Sequence, residues 1–294
     1  MSVFVAEELS EVLNTKVVIG RINMGLLNRI IIDDVLLDDQ SGQEMLKVTR
    51  LSAKFDIMPF FKGKISISSV QLFGFNINLR KETPDSPPNF KFVLDAFASK
   101  DTVKKENSLD LRINSILIRR GRMSYHVLSE EETPEKFNAK HIQLQNIIAN
   151  ISLKALSKDS LNLGIKRLSL DEKASGFSLK KMSLKLVANN KQTNIDNFTI
   201  ELPETSLKLD TIHLEYDSLK AFDRFTEQVH FSFRTLPSQV TLKDISPFVP
   251  ILSHFKEPVT LDMEVKGTVD QLTCSHLELS LIHISEPTRL RRIS

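Results

Sequence analysis

Residues 64–80 read KISISSVQLFGFNINLR, with Ile65, Ile67, Phe73, Phe75, Ile77 and Leu79 spaced by twos among Lys, Ser, Asn and Arg. A chain with that period forms a strand with one dry face and one wet face. The same period recurs over most of the sequence. It appears in VVIGRINMGLLNRIIIDDVLLDD and MLKVTRLSAKFDI, and again in LDLRINSILIRRGRMSYHV and KHIQLQNIIANISLKAL. Beyond these it continues through FSLKKMSLKLVAN and SLKLDTIHLEY to PVTLDMEVKGTVDQLTCSHLEL. Many of these segments carry a one-residue slip of phase, which predicts bulges that keep the apolar side facing one way while increasing twist.

Helical spacing is confined to short pieces. Residues 3–13 set Val3, Phe4, Leu9, Val12 and Leu13 against Glu7, Glu8 and Glu11, which predicts an amphipathic N-terminal helix. NFKFVLDAF, SLKAFDRFTEQ (218–228) and LKDISPFVPILSHF (242–255) predict further short helices, the first lying on the sheet. These are too few and too short to supply the crossovers of a parallel sheet. The expected fold is therefore mainly β, an elongated, twisted, largely antiparallel sheet of about fifteen strands. One apolar face of such a sheet must be hidden. It can close into a barrel, pair with a second sheet, or curl into an open trough with something greasy inside, and alternation alone does not choose among these.

Composition narrows the function classes. The chain is 41% hydrophobic and 26% charged, the balance of a folded protein. Only 9 glycines are present, which argues against glycine-rich phosphate loops. No run of 18 apolar residues occurs, and the start MSVFVAEELSEVLNTK lacks the basic region of a signal peptide. Cys274 is the single cysteine, so an internal disulfide and a thiolate metal cluster are both ruled out. His126, His141, His213, His230, His254, His276 and His283 are scattered with no His-x-x-x-His pair, and no metal site is expected from that spacing.

Asp33, Asp34, Asp38 and Asp39 are read as strand ends and a turn in preference to a calcium site or catalytic pair. IRRGR (118–122) is read as a solvated turn. Asn150-Ile151-Ser152 and Asn197-Phe198-Thr199 match the glycosylation pattern only. Nucleophile elbow, Walker loop and dinucleotide fingerprint are all missing, so the expectation is not an enzyme, with no cofactor and no nucleic-acid partner.

The final stretch stands apart. LSLIHISEPTR resembles the translation of a transposase adapter used in sequencing libraries, which makes residues 279–294 a non-native tail by expectation. Leaving out its three arginines and one glutamate leaves 36 basic and 36 acidic residues, so the formal charge of +2 falls to zero. A basic tail for nucleic acid or membrane is discarded with it.

From Leu13 to Ser99 the chain resembles the N-terminal region of the TamB family, within the AsmA-like group. The resemblance is carried by Thr15, Val17, Ile19 and Gly20, by Asp34, Val35, Leu36, Asp38 and Gly42, and by Gly63, Lys64 and Ile65, followed by NFKFVLDAF. LKDISPFVP and VKGTVDQL also look like later segments of that family, so the resemblance extends over most of residues 1–278. It implies a helix at 1–15 and a β-groove segment at 16–278. It further implies a periplasmic protein anchored in the inner membrane, carrying phospholipid towards the outer membrane and supporting outer-membrane biogenesis. On that resemblance, the upstream membrane anchor and the C-terminal domain that meets an outer-membrane assembly protein are expected to lie outside this sequence.

On that reading phospholipid acyl chains run along a groove lined by Ile65, Ile67, Phe73, Phe75, Ile77, Leu79, Leu111, Ile113, Ile116 and Ile118. The alternative is a scaffold or chaperone-like module that assists outer-membrane protein assembly without moving lipid. A β-rich surface adhesin is a third class.

Overall fold

The computed structural model describes residues 2–26, 28–55, 67–98, 114–156 and 160–281. Helix α1 (Ser2–Leu13) leads into four strands, β1 (Val17–Gly25), β2 (Arg29–Asp38), β3 (Glu44–Phe55) and β4 (Ile67–Lys81). Helix α2 (Lys91–Ala98) lies in the connection to β5 (Ser115–Val127). Then come β6 (His141–Leu156), β7 (Ser160–Glu172), β8 (Ser178–Asn189), β9 (Gln192–Glu201) and β10 (Ser206–Glu215). A 3₁₀ turn (Leu219–Arg224) and the one-turn helix α3 (Phe225–Gln228) precede β11 (His230–Arg234) and β12 (Ser238–Val240). Two more 3₁₀ turns, Leu242–Ile245 and Pro250–His254, stand where a single helix is expected from sequence; β13 (Val259–Gly267) and β14 (Leu272–Leu281) end the described chain.

All fourteen strands belong to one sheet, and from β1 to β11 spatial order follows chain order. β11 and β12 sit end to end between β10 and β13: Phe231–Arg234 pair with Glu264–Gly267, and Ser238–Val240 pair with Val259–Leu261. Within the described chain β1 pairs only with β2 and β14 only with β13, so the ladder does not close into a barrel. Every pairing is antiparallel except β4 with β5, where Val70 lies beside Ile116 and Leu72 beside Ile118. A parallel joint needs a crossover, and the chain that supplies it contains α2.

Turn chemistry sets the hairpins. Asp39, 2% exposed, accepts hydrogen bonds at Oδ1 from the Ser41 and Gln43 N–H groups, and Gly42 takes φ +77° in the β2–β3 turn. Glu172 does the same in the β7–β8 turn, accepting from the Gln143, Ala174 and Ser175 N–H groups, with Gly176 at φ +75°. Asp38 and Asp39 are thus the expected strand end and turn. Asp33 and Asp34 lie well inside β2, and Asp33 pairs with Arg50 (Oδ1 to Nε, 2.6 Å) on β3. IRRGR is no turn: it runs through the middle of β5, where Arg120 adopts φ +55°.

Candidate functional site: the apolar face of the sheet

Following the apolar side chains strand by strand gives one continuous surface made of two adjoining clusters that share Leu46. The first gathers Val17, Ile19, Leu37 and Met45, with Ile22 and Ile32, beneath Ala6 and Leu13 of α1 and Phe92, Val93 and Ala96 of α2. The second gathers Val48, Phe75 and Ile147 with Val35, Leu51, Leu72, Ile77, Ile118, Met123, Leu144 and Leu170, and so reaches from β2 to β7. Among the described residues its partners come from strands alone; α1 and α2 cover the first cluster and contribute nothing to the second. Most of its members are only half-buried.

The spacing of these residues exposes the phase slip. The lining steps are Ile19 to Ile22, Ile32 to Val35, Val48 to Leu51, Leu72 to Phe75 and Leu144 to Ile147, three positions each where an unbroken strand would take two. Left-handed residues mark the slip on four strands: Asp34 on β2, Gly74 on β4, Arg120 on β5 and Asn146 on β6, all with φ between 54° and 64°. In β1 to β4 the slips lie in register, since Arg21 faces Asp33, Asp33 faces Arg50, and Arg50 faces Phe73. Each strand shifts phase where its neighbour does, so the apolar side remains continuous across a crease.

This crease overturns one expected lining residue. Phe73 does not share the surroundings of Phe75. Gly74, at φ +64°, breaks the alternation between them; Phe73 is 38% exposed with the Arg120 guanidinium 5.1 Å above its ring, whereas Phe75 is 8% exposed and packed in the second cluster. Ile77 and Ile118 join Phe75 there, while Leu79 and Ile116 are half-buried on the same two strands, opposite Tyr125 and Val70. Ile67 opens β4, but its side chain, like Ile65, Leu111 and Ile113 in full, lies outside the described residues.

Two groupings escape a reading of the sequence. Gly121 lies against the Phe75 ring: a Cβ there would come within 2.4 Å of that ring and 3.0 Å of Ile147 Cβ. His126 and His141, fifteen residues apart and hence invisible to a spacing rule, are cross-strand partners on β5 and β6 with their Nδ1 atoms 3.0 Å apart. The Glu132 carboxylate stands 3.9 and 4.0 Å from those two atoms.

Four carboxylates of the sheet are held below their ordinary range by their hydrogen-bond partners. Arg50's hydrogen bond holds the Asp33 carboxyl below its usual range, against a smaller opposing push from burial. Burial pushes Asp39 and Glu172 up, but the converging Ser, Asn and backbone donors outweigh it and leave both lowered. Asn146 and Ser178 donate to Asp171 and lower it likewise. None of these groups is poised for proton transfer near neutrality.

Among the described residues, fold and face together define a single-sheet, mainly β protein with an apolar surface running from β1 to β7 and an N-terminal helix on its first strands. Among the described residues no helix is long and apolar enough to cross a membrane. No family model and no curated protein matches the chain.

Proposed function

We propose that this chain is a segment of a hydrophobic conduit, in which the face from β2 to β7 receives phospholipid acyl chains. The observation that carries this reading is the second cluster: a wide apolar surface, half-buried, with no helix among the described residues packed on it. Carrying an acyl chain through water costs about 0.8 kcal/mol per CH₂, or about 12 kcal/mol for some fifteen carbons. A lining of Val, Leu, Ile, Met and Phe offsets most of that cost. It also offers no charged well to arrest the chain, so sliding is possible. The resemblance to the TamB family supports the same reading and adds its setting, the periplasm, with the inner membrane and an outer-membrane assembly protein as partners of a longer polypeptide.

A second reading rests on the open edges. A strand of an unfolded outer-membrane protein could add to the free side of β1 or β14, giving a scaffold that binds clients by backbone pairing.

Native mass spectrometry of the chain purified from a bacterial periplasm separates the two. Co-purified phospholipid, lost in Ile77→Asp while the far-ultraviolet circular dichroism spectrum is retained, is the expected result. A folded wild-type chain free of lipid would overturn the conduit and leave the scaffold ahead.

A further inference from the structure

We propose that His126, His141 and Glu132 form a binding site for one divalent transition-metal ion of the Zn²⁺ class, which fastens the β5–β6 connection to the rim of the sheet. The two histidines are directly opposed in the antiparallel ladder, so their rings emerge side by side from the same face. They are built-in rather than loose: the His141 side chain is 8% exposed and that of His126 is 24% exposed. Glu132 comes from the connection itself and is the exposed, adjustable third group.

Tetrahedral Zn²⁺ with bonds of about 2.0–2.1 Å holds its ligand atoms about 3.3 Å apart. The two Nδ1 atoms at 3.0 Å already sit near that spacing, and the carboxylate at 3.9–4.0 Å needs only a small swing of an exposed side chain. His141 carries the second feature of a ligating histidine. Its Nε2 lies 2.9 Å from the Glu130 carbonyl oxygen, to which Nε2–H donates, and this tautomer leaves the Nδ1 lone pair directed at the site. Without metal, His126 Nδ1–H donates to that lone pair. When metal binds, the His126 proton moves to Nε2, Nδ1 becomes a ligand, and the ion replaces the hydrogen as the link between the rings. Two imidazoles and one carboxylate leave a fourth position for water and suit Zn²⁺ better than Ca²⁺ or Mg²⁺, which favour all-oxygen sets.

The connection that would be fastened does more than turn. Glu135 N–H donates to Ala174 O in the β7–β8 turn, and Phe137 N–H donates to Pro247 O, with the Phe137 and Phe248 rings 4.8 Å apart. An ion tying Glu132 to β5 and β6 would therefore steady a loop that bridges three parts of the rim.

The test is calorimetric titration of the untagged full chain, stripped with chelator, with ZnCl₂, alongside hydrogen exchange over residues 128–140. One ion per chain is expected, with slowed exchange in that loop. Binding should be lost in His126→Ala and weakened at least about tenfold in Glu132→Gln, whereas His276→Ala should match the parent. Should His126→Ala fail to fold, Glu132→Gln decides, because its side chain is exposed. Absence of stoichiometric binding, or unchanged affinity in Glu132→Gln, overturns the site; binding without slower exchange overturns its fastening role.

Discussion

At the scale of single residues, the apolar face depends on what is left out as much as on what is present. Gly121 provides the space into which the Phe75 ring settles, and Phe75 is one of three buried anchors of the second cluster. A methyl group at Gly121 would meet an aromatic ring at 2.4 Å and Ile147 Cβ at 3.0 Å, so neither neighbour yields without disturbing the cluster. Gly121→Ala should therefore lower stability by about 1–3 kcal/mol, the range for overpacking a fitted site. Gly42 offers the contrast: a methyl group added there would meet nothing within 4 Å, and a strained φ of +77° is its whole penalty. Gly42→Ala should cost about 1 kcal/mol, the left-handed penalty alone. Urea unfolding of the two variants checks both values, and an unchanged stability in Gly121→Ala would show that the Phe75 contact carries no weight.

At the scale of elements, two hairpins share one device, an acidic side chain folded back over its own turn. Asp39 closes β2–β3 with Ser41, Gln43 and Asn89 as donors and Arg80 Nη2 at 2.7 Å; Glu172 closes β7–β8 with Gln143, Ala174 and Ser175. Both carboxyls titrate lower in the folded chain than in the unfolded one. The unfolded state thus binds more protons below about pH 4.5, and the stability these turns contribute is full above that point and lost as pH falls through the lowered folded values. The thermal midpoint should drop steeply between about pH 5 and pH 3. Asp39→Asn should start lower at neutral pH and fall less over the same interval; a parallel fall in variant and parent would mean that Asp39 does not contribute.

Strands, the N-terminal helix and the DDQSG turn were legible in the sequence because period and turn residues are local signals. The in-register crease was legible only as phase slips. Whether Phe73 or Phe75 faces the lining turns on the backbone at Gly74, a left-handed conformation that alternation does not encode. His126 and His141 were hidden for a different reason, since it is strand register that joins them.

At the scale of the whole molecule, a fold built on one sheet has no common core through which every strand senses every other. Each strand is held by its two neighbours and by what lies on the apolar face, so stability should grade along the sheet instead of being uniform. The extremes are visible. β14 is exposed from Leu272 to Ser280, with Leu277 and Leu279 at 58% and 60%, and has β13 as its single partner. β6 has a neighbour on each side and carries Ile147 and Ala149, buried at 9% and 2% exposure. β1, also an edge, is sealed on its apolar side by α1, with Val17 and Ile19 each 8% exposed. Native-state hydrogen exchange should therefore release β14 amides first, β1 amides later and β6 amides last, the order set by covered apolar area and not by distance from a chain end. Identical opening energies for β14 and β6 would mean that the sheet unfolds as one cooperative unit. In that case an acyl chain would stabilise all strands equally; with graded stability, it should slow exchange chiefly in β2 to β7, where the exposed lining lies.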